Sequence, residues 1–125
     1  MKAFSNDEIL AVYKAADFMV LADKKVLPEE IATVNEAMAK IGIVSLASLE
    51  EIKEQAKNIT EDECYGQLAF LDEEQKMFVS SMLGTISSSD GDIDDLELEL
   101  WRDICSKSDL PLMSNRQAIH IFQSY

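Results

Sequence analysis

Slid along itself from Asp23 to Asp90, an offset of 67 positions, the chain lays one helix–loop–helix segment over another. In the leading helices Val12 falls on Val79, Ala16 on Leu83 and Met19 on Ile86. In the trailing helices Val34 falls on Trp101, Ala37 on Ile104 and Met38 on Cys105. Between them the loop aspartates coincide, an apolar residue follows three later (Val26, Ile93), and a glutamate follows seven later (Glu30, Glu97). Any two amphipathic helices share an apolar stripe. An Asp–apolar–Glu pattern held between matched stripes is the harder coincidence. It implies two pseudo-symmetric helix–loop–helix units, about 9–43 and 76–110, packed face to face.

Helix signals continue outside the repeat. Ser5-Asn6-Asp7-Glu8 reads as a capping box, and Pro28 suits the first turn of a second helix that runs through Ile31, Val34 and Met38 to Gly42. Ser48-Leu49-Glu50-Glu51 and Thr60-Glu61-Asp62-Glu63 open two short helices. Asp72, Asp94 and Ser114 open three more, each with Gln or Glu three residues on. Two prolines and four glycines are too few for a turn-rich β-sandwich. The expected fold is all-α, about seven helices in one domain over 1–125, with the two repeats packed into a single bundle. Val12, Met19, Val34, Val79, Ile86, Trp101 and Ile104 are its predicted core, and Gly84 marks a close helix–helix approach.

Charge narrows the function. Eleven Lys and Arg face 24 Asp and Glu, a formal charge of −13. Nucleic-acid binding needs clustered cations, so no nucleic-acid partner is expected. The longest apolar runs are about five residues against the roughly 20 of a membrane span, and no secretory leader is visible. No transmembrane segment and a cytoplasmic location are expected. Cys64 and Cys105 form no CxxC pair, and acids precede Cys64, so both are read as unreactive structural thiols. His120 is the sole histidine and supports neither a two-His metal site nor a nucleophile–base pair.

The turn from Asp90 holds Asp92, Asp94, Asp95, Glu97 and Glu99 with no basic residue among them. Its second half fits a calcium loop around Gly91, closing on Glu97, but Ile86 and Ser88 stand where the first ligands belong. Two explanations are open. The acids cap a helix N-terminus, where the dipole favours each by roughly 0.3–1 kcal/mol. Alternatively, Asp90, Asp92, Asp94 and Glu97, with Asp23 and Glu30 in the first unit, bind Ca2+ or another hard divalent cation weakly.

These residues resemble a known family. The Ala-Asp–x–x–Val–x–Pro-Glu-Glu of the first unit, and Met82-Leu83-Gly84 with Ser89-Asp90-Gly91-Asp92-Ile93-Asp94-Asp95-Leu96-Glu97 in the second, look like the bacterial tellurite-resistance TerB family. Lys24 and Lys25 depart from the family's turn in the first unit. The resemblance implies an all-helical protein of two repeated units, active in responses to tellurite and other toxic agents, without an enzymatic activity. Tellurite is an anion, and a chain of −13 repels it. Action is therefore expected through partner proteins, basic or membrane-associated. The alternative from another class is a carboxylate-based metal-dependent hydrolase.

Overall fold

Five helices start where a side-chain oxygen takes a free backbone N–H, from Ser5, Ser45, Thr60, Asp72 and Ser114. In the computed structural model, which describes residues 1–22, 25–89 and 95–125, the described residues form seven helices and no strand. They are α1 (Asn6–Leu21), α2 (Pro28–Lys40), α3 (Leu46–Ala56), α4 (Glu61–Ala69), α5 (Glu73–Ser87), α6 (Asp95–Ser108) and α7 (Asn115–Gln123). Ser5 Oγ accepts from the Glu8 N–H, and the Glu8 carboxylate accepts from the Ser5 N–H at 2.7 Å. Asp72 with Gln75, and Ser114 with Gln117, repeat that reciprocal pair for α5 and α7.

One start differs from expectation. Helix α3 begins at Leu46, not after Ser48, because Ser45 has the extended backbone of an N-cap and its Oγ accepts from the Ser48 N–H at 3.1 Å. Leu46 is exposed, so the first turn carries no inward apolar residue to announce it. The α2 stripe is also rotated from the expected one. Ile31 is exposed, and the buried face is Glu30, Thr33, Val34, Ala37 and Met38.

The ends of α2 and α6 match as closely as their cores. Gly42 (φ 99°) and Asp109 (φ 54°) both take the left-handed conformation just past the helix. Ile43 N–H then donates to Met38 O at 2.9 Å, and Leu110 N–H to Cys105 O at 3.0 Å, the same six-to-one closure at positions 67 apart. Val12, Met19, Val34, Val79, Ile86, Trp101 and Ile104 are all buried.

Helix α5 packs against α1, α2, α6 and most extensively α7, while α1 also carries α3 and α4. Gly84 permits this crowding: a Cβ there would meet Ala118 Cβ at 2.5 Å and the Trp101 ring at 2.6 Å. The Trp101 indole N–H donates to Ser80 Oγ (3.2 Å), which donates to Pro111 O (2.6 Å), tying α6 to α5 and to the loop before α7. Phe78 meets Tyr125 edge-on at 5.2 Å and Phe122 at 5.9 Å, which closes the C-terminus onto α5. Among the described residues no helix is long and apolar enough to cross a membrane.

Candidate functional site

Of the six acids expected at the turns, Asp23, Asp90, Asp92 and Asp94 lie outside the described residues. Glu30 and Glu97 are described, and both are buried, at 1% and 3% exposure. They occupy the first turns of α2 and α6 in the same register, one turn before Val34 and Trp101. Glu30 Oε1 accepts from the Leu27 N–H at 3.3 Å, half of a capping box that Leu27, with no side-chain acceptor, cannot complete. A carboxylate is buried only at high cost unless it is bonded, and the positive end of the helix dipole favours its charge. Both residues offer hard oxygen donors. Among the described residues, no three His, Cys, Asp or Glu side chains gather into a metal-holding group.

The other chemistry-bearing side chains are muted. Both cysteines are free and buried. Burial is the main cause that pushes the Cys64 thiol up to about 12, with Lys14 pulling the other way. The neighbouring acids, which the sequence suggests as the reason, are a smaller contributor through Glu61. His120 is exposed on α7. A mixed-charge cleft of about 310 Å³ brings Tyr13 and Asp17 of α1 near Glu50 and Lys53 of α3. Burial raises the Asp17 carboxyl against the pull of Lys14 and Lys53, and raises the Tyr13 phenol to about 12. Tyr13 is thus a protonated phenol at neutral pH and no base. The Lys14 ammonium donates to Ala56 O at 2.9 Å, closing the end of α3.

A groove of about 390 Å³ between α1 and α4 is lined by Asp7 and Leu10 of α1, by Glu63, Gly66, Gln67 and Phe70 of α4 and its C-cap, and by Ile59 of the loop before α4. Phe70, at the C-cap of α4, is 89% exposed, the most exposed of the large apolar side chains among the described residues. Gly66 is exposed within α4, and a Cβ added to it would meet nothing within 4 Å. Sequence reasoning missed this surface. Its signal is the i, i+3, i+4, i+7 spacing of Glu63, Gly66, Gln67 and Phe70, one face of a short helix.

Neither a protein-family model nor a curated protein matches the chain. Among solved structures, the crystal structure of a protein of unknown function from Porphyromonas gingivalis W83 is 35% identical, covers 100% of both chains and superposes with a TM-score of 0.88. The chain belongs to the family of that protein. Membership accounts for the helical architecture along the full length. The Porphyromonas protein is itself of unknown function, so any activity of the family has to be argued from side chains.

Proposed function

We propose that this protein is a non-enzymatic helical interaction module of the TerB type, cytoplasmic, acting through partner proteins in bacterial responses to tellurite and chemical stress. The observation that carries it is the placement of Glu30 and Glu97, buried in one register at the starts of the two helices that the repeat pairs. That twofold arrangement is what the TerB resemblance implies. Action through partners is supported by the surface: Phe70, Val44, Leu46 and Leu112 are all more than 70% exposed on a chain of charge −13. Weak binding of a hard divalent cation at the acidic turns completes the proposal, with Glu30 and Glu97 as the described donors.

The test is cross-linking and affinity capture in the native host under tellurite stress, with quantitative mass spectrometry. Defined basic or membrane-associated partners, enriched over an unrelated acidic helical protein, are expected. Background proteins alone would refute the module. Calcium titration followed by amide NMR tests the cation separately. Shifts confined to 90–97 with a dissociation constant of about 0.1–1 mM are expected, abolished by Asp90→Asn with Glu97→Gln. No shift at millimolar calcium would leave these acids as helix caps.

A further inference from the structure

We infer that the groove between α1 and α4 is a docking site for a cationic amphipathic helix of a partner protein. The inference rests on the interaction-module proposal only in requiring that a partner exist.

Three observations converge on it. Phe70 stands 89% exposed in the lining of the groove, which Leu10 and Ile59 also line. An exposed aromatic ring lining a groove supplies the large, rigid apolar contact area on which a docked helix is anchored. Gly66 is the second observation. Glycine is a poor helix former, and a helix usually carries one where a neighbour packs too closely for a Cβ. Gly84 has such neighbours within the molecule; Gly66 has none within 4 Å. Its bare backbone faces outward at the groove, open to close approach from outside.

Charge selects the occupant. Asp7 and Glu63 line the groove and no Lys or Arg does. Glu61 and Asp62 stand exposed at the same helix start. A lining that combines Leu10, Ile59 and Phe70 with Asp7 and Glu63 fits a helix whose apolar stripe is flanked by Lys or Arg, and repels anionic membranes and nucleic acid. Four of the lining residues, Glu63, Gly66, Gln67 and Phe70, follow α4 at helical spacing for about two turns, a length a partner helix can lie along.

The test titrates an 18-residue peptide, leucines on one face and lysines on the other, into the full isotopically labelled chain. Controls are a scrambled peptide of the same composition, a leucine–glutamate counterpart, and vesicles of phosphatidylserine and phosphatidylcholine. Amide shifts should concentrate at 7–10 and 59–70. The scrambled peptide should bind at least tenfold more weakly, and the acidic peptide and the vesicles not at all. Phe70→Ser, at an exposed position, should weaken binding at least tenfold. Gly66→Ala gives the sharpest discrimination. It should raise Tm by about 2–5 °C, because alanine is the better helix former, and yet weaken the peptide at least fivefold. Equal binding by the scrambled peptide would reduce the effect to bulk charge and overturn the inference. So would shifts mapping elsewhere, vesicle binding through the groove, or a Gly66→Ala chain that binds like the parent. If the groove fails while stress cross-linking still recovers partners, the module proposal stands and only its docking surface is refuted.

Discussion

A Cβ placed on Gly84 would lie 2.5 Å from Ala118 Cβ and 2.6 Å from the Trp101 ring, and neither neighbour is the end of a flexible side chain. Gly84→Ala should therefore cost about 1–3 kcal/mol by overpacking, despite alanine's better helix propensity. Urea unfolding reads this directly, and an unchanged midpoint would contradict the close packing. Trp101→Ala, which removes the ring from the other side of the contact, should cost about 3–5 kcal/mol. A loss below about 1 kcal/mol would contradict its burial. Cys64 sets a pH dependence. The folded chain holds the thiol proton up to about 12, whereas the unfolded chain releases it near 9.0. The stability this contributes is complete below pH 9 and is lost as pH climbs toward 12. Urea midpoints should fall across that window, and fall less steeply in Cys64→Ala. The slope should not vanish, because the Tyr13 phenol is raised to about 12 in the same way.

At the scale of the helix, the start of α3 shows both what is legible in a sequence and what is not. The sequence favours Ser48 as the cap because Glu51 follows it three residues on, the spacing of a capping box, whereas Ser45 has no acid at that spacing. The backbone chose Ser45, whose Oγ accepts from Ser48 N–H. Ser45→Ala should cost about 0.5–2 kcal/mol, and Ser48→Ala distinctly less. Equal effects would move the cap. Elsewhere the caps were legible because their code is local: Ser5 with Glu8, Asp72 with Gln75 and Ser114 with Gln117 satisfy each other within four residues. The Gly42 stop was legible for the same reason. Its counterpart Asp109 was not, since an aspartate with φ 54° carries no such signal unless the repeat is followed to its end.

For the whole molecule, the repeat located the core, and the burial of Trp101 and Ile104 follows from their alignment with Val34 and Ala37. The repeat also paired Glu30 with Glu97, but their depth could not be read from it, because an acid at a helix start is ordinarily solvated. The groove was hidden for a different reason. Whether Phe70 ends buried or exposed depends on the path the chain takes from α4 into α5, which no local pattern states. What emerges is an acidic helical bundle that leaves one aromatic ring and one bare stretch of helix backbone facing outward beside carboxylates. The central claim is that this face meets a partner inside the cell. Site-specific photo-cross-linking in the native host tests it most directly, with the photoreactive side chain in place of Phe70 and, as a control, in place of Val44, which is 82% exposed but does not line the groove. One defined partner, joined through a Lys- or Arg-flanked amphipathic helix at the first site and not at the second, is the predicted result. The same products from both sites, or none from the first, would contradict it.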